Sequence, residues 1–279
     1  MTLASLRELM AGGTSVAAFN VVSLEHAEAV VDGATRRQSP VVLQISENAI
    51  RYHRSLLPII AACSEVARRA SVPVALHLDH VENDDLVDEV LAVAERFGIG
   101  SLMYDGSRFD YDANVEATAR HARNAHEAGL WLEAELGAIG GKDGAHAPGV
   151  RTVPAEAAAF VAATGVDALA VAVGSSHAMA TRSAELDIGL IETLAAAVPV
   201  PLVLHGSSGV PAAVIADAIR AGIRKVNIGT AVLAAWTSAL RQSLAADPDV
   251  VDPRRYTRES REAVARLVEA ECAVVSEAR

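Results

Sequence analysis

The chain is poor in the residues that staple or anchor a protein. Of its 279 residues only Cys63 and Cys272 are cysteines. They lie far apart and outside any C-x-x-C pattern, so neither a disulfide framework nor a thiolate zinc site is indicated, and both read as buried, unreactive thiols. No uninterrupted run of about 18 apolar residues occurs, and "MTLASLRELMAGG" (1–13) reads as an amphipathic helix rather than a signal peptide. A membrane partner is therefore not expected, and the expected location is the cytoplasm. Basic residues are in the minority, 24 against 35 acidic for a net charge of -11. That balance excludes a general basic face for nucleic acid or anionic membranes, while a local pocket can still take an anionic small molecule. Lysine is scarcest, with Lys142 and Lys225 alone. No Pro/Gly/Ser linker or charge block divides the chain, so one domain spanning 1–279 is expected.

What is present is core. Hydrophobic residues make up 51% of the chain, enough for a large interior. Short apolar runs alternate with alanine-rich helical patterns: strands are expected at 15–22, 40–46, 72–80, 101–107, 130–137, 166–174, 201–208 and 224–230. Eight β/α units predict an α/β fold, a TIM (β/α)8 barrel. Beyond the last strand, residues 252–279 read as an extra terminal helix with Asp252 as N-cap before Pro253. Such an appendage suits a homodimer or homotetramer.

In a TIM barrel the chemistry sits where the strands end at the C-terminal face. The polar residues there are Asn20, Ser46, Asp79, His80, Asp105, Ser107, Glu133, Glu135, His177, His205, Ser208, Asn227 and Thr230. Three of them are histidines, each closely following an apolar run: "ALHLDH", "VAVGSSH" and "LVLH". Strands 3, 6 and 7 can aim them at one point, and three imidazoles with an open fourth position suit catalytic zinc or another transition metal. His77 alternates with Leu76 and Leu78 and reads as a residue behind the ligands. His26, His53, His121 and His126, in helical segments, and His146, in a glycine-rich loop, read as surface residues. "HGSSGVP" and "NIGT" place small residues after strands 7 and 8, where backbone amides can cradle a phosphate.

At these residues the sequence resembles the class II, zinc-dependent ketose-bisphosphate aldolases, the fructose- and tagatose-bisphosphate aldolases. "AFNV", "HLDH", "MYDGS", "EAELG", "DALAVAVGSSH", "LHGSSG" and "KVNIGT" follow in that family's order over nearly the whole chain. The resemblance implies cleavage of a sugar phosphate to dihydroxyacetone phosphate and an aldehyde. His80, His177 and His205 would hold the zinc, and Asp79 would exchange a proton with the C4 hydroxyl. Asp105 and Glu135 would form an alternative, buried metal position, so a second divalent or monovalent cation is part of the expectation. Gly174, Gly206, Ser208 and Thr230 match phosphate contacts, Asn227 the contact to the dihydroxyacetone part, and Asn20 and Ser46 join them as substrate-binding residues.

Departures from the family accompany the matches. The lysine expected after strand 6 is missing, which turns attention to Arg182, whose planar fork is not equivalent to an ammonium. The loop's acidic pair reads Lys142-Asp143, leaving Asp143 as the candidate second proton carrier. Gly229 stands where the fructose branch carries aspartate. Three other readings remain open: a Schiff-base aldolase using Lys225, a metal-dependent hydrolase on the same histidines, and a non-catalytic sugar-phosphate sensor.

Overall fold

The computed structural model describes residues 3–136, 150–175 and 182–278. Eight parallel strands close in sequence order into a barrel: β1 (Val16–Asn20), β2 (Val41–Ser46), β3 (Val74–Val81), β4 (Ile99–Tyr104), β5 (Trp131–Leu136), β6 (Ala168–Val171), β7 (Leu202–Leu204) and β8 (Ile223–Ile228). The seam sets Val16 opposite Lys225 and Ala18 opposite Asn227. Helices α1 (Leu6–Leu9), α2 (Leu24–Arg37), α3 (Glu47–His53), α4 (Leu56–Arg69), α5 (Asp84–Phe97), α6 (Tyr111–Glu127), α7 (Pro154–Thr164), α8 (Ile188–Ala197), α9 (Ala212–Ala221), α10 (Thr230–Ala246), α11 (Pro253–Tyr256) and α12 (Arg258–Glu277) surround it. The expected TIM barrel is the observed fold.

Side chains alternate along each strand between the barrel axis and the helical shell. On β1, Ala17 and Phe19 join the shell while Val16 and Ala18 face the axis. The axial floor is apolar and mostly small, with Val42, Ala75, Ala168, Ala170 and Val203 beside Trp131, and Leu6, Leu9 and Met10 packed against it. Two residues further along the same strands, the axial positions turn polar. Ala75 is followed by His77 and then Asp79, Trp131 by Glu133 and Glu135, and Val203 by His205, all of them buried. The barrel is thus an apolar cup filled from above with ionisable groups.

The strand ends differ from expectation where loops leave the ladder. β4 ends at Tyr104, β6 at Val171 and β7 at Leu204; beyond the last two, Gly174 and Gly206 take positive φ of 120° and 68°, which glycine adopts without the penalty of a side chain. The expected N-terminal helix contracts to Leu6–Leu9 plus a 3-10 turn, because Gly12 at φ 67° breaks it. Asp252 caps α11, its side chain accepting from the Arg254 N–H, and α12 follows. Two of the histidines expected at the surface are buried: His26 lies against Trp236 with ring centroids 4.5 Å apart, and His121 against Tyr104 at 4.3 Å. Their helices carry them on the inward face, which the residue type alone did not reveal. Cys63 and Cys272 are buried, and burial pushes both thiols up to about 12.

α12 packs along α2, and the contact passes over Gly33, where an added Cβ would lie 2.3 Å from the Ala265 carbonyl oxygen. Gly33→Ala should therefore cost about 1–3 kcal/mol through overpacking, read as a lowered midpoint in thermal unfolding. An unchanged midpoint would mean that α12 shifts without cost.

Candidate metal centre

β3 carries two adjacent residues into one site. In a regular strand Asp79 and His80 would point to opposite faces. Here the pairing of β3 with β4 shifts register between Leu78 and Val81, and His80 takes φ 50°. The bulge lets Asp79 and His80 both reach the axial site while Leu78 and Val81 stay in the shell. A non-glycine residue in this region is strained. Asp79 is steadied from β1 and β2: Asn20 Nδ2 donates to Asp79 Oδ2 at 3.2 Å and Gln44 Nε2 to Asn20 Oδ1 at 3.1 Å. Asp79 Oδ1 is buried and accepts no hydrogen bond.

His205 arrives from the end of β7. Its Nε2 lies 3.0 Å from Glu133 Oε1, and its Nδ1 3.0 Å from His80 Nε2. His80 Nδ1 lies 2.7 Å from Asp105 Oδ2, and Asp105 Oδ1 accepts from the Ser107 N–H and hydroxyl. A carboxylate accepts hydrogen bonds, so these partners assign the proton to Nδ1 of His80 and to Nε2 of His205. The facing nitrogens then both present lone pairs across 3.0 Å. That arrangement suits two ligands of one cation, and Asp79, His80 and His205 bring their ligand atoms within 4.8 Å of one another. Glu135 Oε2 is 3.9 Å from His80 Nδ1, and His80, Asp105 and Glu135 form a second such group. Imidazoles backed by carboxylates are a donor set that fits a divalent transition metal.

The anion-binding candidates have different partners, and of them Asn227 touches this centre. Gly206 is in the left-handed region, Ser207 donates to the Asn227 carbonyl, and Ser208 Oγ accepts from the Ala231 N–H, so its hydroxyl serves the first turn of α10, where Thr230 begins the helix. Asn227 Nδ2 is 3.0 Å from His205 Nε2. Ser46 caps α3 through the Ala49 N–H. Gly174 approaches the Glu185 carbonyl too closely to carry a side chain. Arg182 is ion-paired with the buried carboxylate of Glu271 on α12, which ties its guanidinium to the terminal helix. His177 and Asp143 lie outside the described residues.

Two residues at the centre take parts the sequence reading did not give them: Glu133 stood among the strand-end polar residues without a role, and Lys225 only as the lysine of a Schiff-base alternative. Both are fully buried, and Lys225 Nζ donates to Glu133 Oε2 at 2.8 Å. The available signal was parity, since Glu133 shares the strand face of Glu135, and Lys225 that of Asn227. His77 lies behind them as expected, with Nε2 3.4 Å from Lys225 Nζ and Nδ1 2.8 Å from Ser101 Oγ.

Electrostatics sets the protonation of the site. Burial alone would raise the Asp79 carboxyl, but the positive charges it meets in acid, from His80, His205 and Lys225, outweigh it and hold the group well below the usual carboxylate range. Glu133 is lowered in the same way, with Lys225 the leading opposing charge. Burial, then the Lys225 ammonium, pushes His77 down to about 3; burial also pushes His205 down to about 4, against its hydrogen bond to Glu133. At neutral pH the centre therefore presents a charged Asp79 and a neutral His205.

A closed parallel barrel with a carboxylate-backed histidine centre at its C-terminal face defines a TIM-barrel protein whose donor set fits a metal. The family model for class II fructose-bisphosphate aldolase matches residues 2–279, and the chain belongs to that family. It is 36% identical over 276 residues to a probable fructose-bisphosphate aldolase of Bacillus subtilis, covering 96% of this chain and 95% of the relative. It is also 36% identical over 291 residues to a fructose-bisphosphate aldolase of Thermus caldophilus, covering 94% and 93%. Among solved structures, the YdjI aldolase of Escherichia coli K12 superposes with TM-score 0.83 at 30% identity, covering 98% of this chain and 97% of the other. A putative fructose-1,6-bisphosphate aldolase of Coccidioides immitis gives 0.85 at 28%, covering 98% and 96%.

The protonation pattern has a measurable consequence. An unfolded histidine titrates near about 6.5, whereas folded His205 titrates at about 4 and His77 at about 3. Between those values the unfolded chain binds more protons, so stability rises with pH across this window; the lowered carboxylates Asp79 and Glu133 act in the same direction further down. In chelator, the thermal midpoint should fall between pH 7 and pH 5. An equal or higher midpoint at pH 5 would mean that the buried imidazoles are protonated in the fold.

Proposed function

We propose that the chain is a zinc-dependent class II aldolase. It reversibly cleaves a ketose bisphosphate, fructose 1,6- or tagatose 1,6-bisphosphate, to dihydroxyacetone phosphate and an aldehyde such as glyceraldehyde 3-phosphate. The observation that carries this reading is the meeting of His80 Nε2 and His205 Nδ1 at 3.0 Å beside Asp79 Oδ1, which accepts no hydrogen bond and lies 4.0 Å from His80 Nε2. In this reading His80 and His205 hold the metal together with His177, and Asp105 and Glu135 serve a second position. The bound metal would act as the Lewis acid that stabilises the enolate left by retro-aldol cleavage.

The protein's own groups do the rest. Asp79, ionised and oriented through Asn20, takes the C4 hydroxyl proton and returns it in the synthetic direction. Gly206, Ser208 and Thr230 offer backbone and hydroxyl donors to a phosphate at the start of α10, a site the barrel fold favours. The ion pair of Lys225 with Glu133, both fully buried, speaks against a Schiff-base mechanism, which needs a neutral amine open to substrate. The commitment of Arg182 to Glu271 favours a second reading, in which the same chemistry runs on a less phosphorylated sugar.

A panel of ketose mono- and bisphosphates, assayed with chelator and then with added zinc, separates these readings. Chelator-sensitive cleavage restored by zinc is expected, and its substrate range identifies the branch. No cleavage by a zinc-loaded chain would overturn the aldolase reading. Asp79→Ala should keep zinc and lose most turnover, about 10²–10⁴-fold for a general acid–base residue. His205→Ala should lose zinc and turnover together.

A further inference from the structure

Beneath the metal centre, the fully buried groups form one chain whose donations run in one direction once the Asn227 amide, 3.0 Å from His205 Nε2, is turned to present the Oδ1 that otherwise has no partner. Lys225 Nζ has protons to give and no lone pair. It donates to Glu133 Oε2 at 2.8 Å and faces His77 Nε2 at 3.4 Å. His77 must then carry its proton on Nδ1, where Ser101 Oγ accepts it at 2.8 Å. With Oε2 engaged by Lys225, Glu133 has Oε1 to accept from His205 Nε2 at 3.0 Å. This fixes the His205 lone pair on Nδ1, the atom that faces His80. His80 is set independently from the other side by Asp105.

We infer that Lys225 and Glu133, with His77 behind them, are positioning residues that lock the His205 tautomer and so prepare Nδ1 as a metal ligand; this rests on the metal reading of the site. Lys225 contributes the charge that lets a carboxylate sit fully buried behind a ligand. Glu133 contributes the acceptor that a neutral amide supplies only in one of its two orientations. Neither touches substrate in this role. The barrel lysine, which could otherwise suggest covalent chemistry, acts here as a buried counter-ion.

The test uses the full chain and two readouts besides activity. Zinc affinity is measured by competition with a chromophoric chelator for wild type, Glu133→Gln, Lys225→Met and the Glu133→Gln/Lys225→Met double variant. Carboxylates behind metal-bound histidines typically account for 10- to 100-fold in affinity, so Glu133→Gln should weaken zinc by about that factor. Lys225→Met leaves an uncompensated buried carboxylate and should lower the thermal midpoint, whereas the double variant replaces the ion pair by neutral groups and should regain it. Zinc affinity in the double variant should stay weak. Recovery of both together, or wild-type affinity in Glu133→Gln, would reduce the pair to a packing element and overturn the inference. The second readout is the ¹⁵N spectrum of His205 in zinc-free protein. A proton on Nε2 is expected in wild type, and a proton on Nδ1 would overturn the inference. Failure of wild type to bind zinc at all, with the Nε2 proton in place, would instead overturn the metal reading and the ligand role built on it.

Discussion

Every second side chain of a closed barrel is forced onto the axis, and in this chain the upper half of the axis is filled with ionisable groups. Their burial is tolerable only if each charge meets an opposite charge or a directed hydrogen bond. The Lys225–Glu133 pair is the keystone of that matching. Removing either partner would leave an isolated charge at a place with no access to water. Around the pair, His77 and Ser101 are oriented below and His205 above, so that the polar layer forms one connected network resting on an apolar floor of small residues.

The candidate metal centre is built by breaking the barrel's alternation at one point. A regular β3 could offer Asp79 or His80 to the axis but not both. The register shift against β4 and the left-handed His80 remove that restriction, at a conformational cost of about 1–2 kcal/mol. The strain falls where the proposed function needs an imidazole ligand and a proton-transferring carboxylate side by side. It is held in place by Asp105 on one ring nitrogen of His80 and by the shell packing of Leu78 and Val81 on either side.

Much of this was legible in the amino acids. Apolar runs separated by helical patterns read as eight β/α units, and polar residues closing those runs marked Asp79, His80, Asp105, Glu135 and His205. Asp252 announced its cap through the proline that follows it. The misreadings have a common origin. His26 and His121 were taken for surface residues because a histidine in a helix carries no mark of which face is turned inward. Lys225 stayed open as the lysine of a Schiff-base alternative, because its place at the start of a strand says nothing about the carboxylate across the barrel. Arg182 was considered for the anion site on sequence proximity, while its partner Glu271 lies 89 positions away on the terminal helix.

The sequence by itself determined the architecture and the chemical inventory, because periodicity, composition and strand-end residue types are local properties that survive without coordinates. Tertiary structure decided how that inventory is used. Which nitrogen of His205 faces His80, whether Lys225 stands free or paired with Glu133, and whether Asp79 and His80 share a face all depend on register and closure around the barrel. Those are relations between strands far apart in the chain, fixed only when β8 pairs with β1 and the axial side chains are packed against one another.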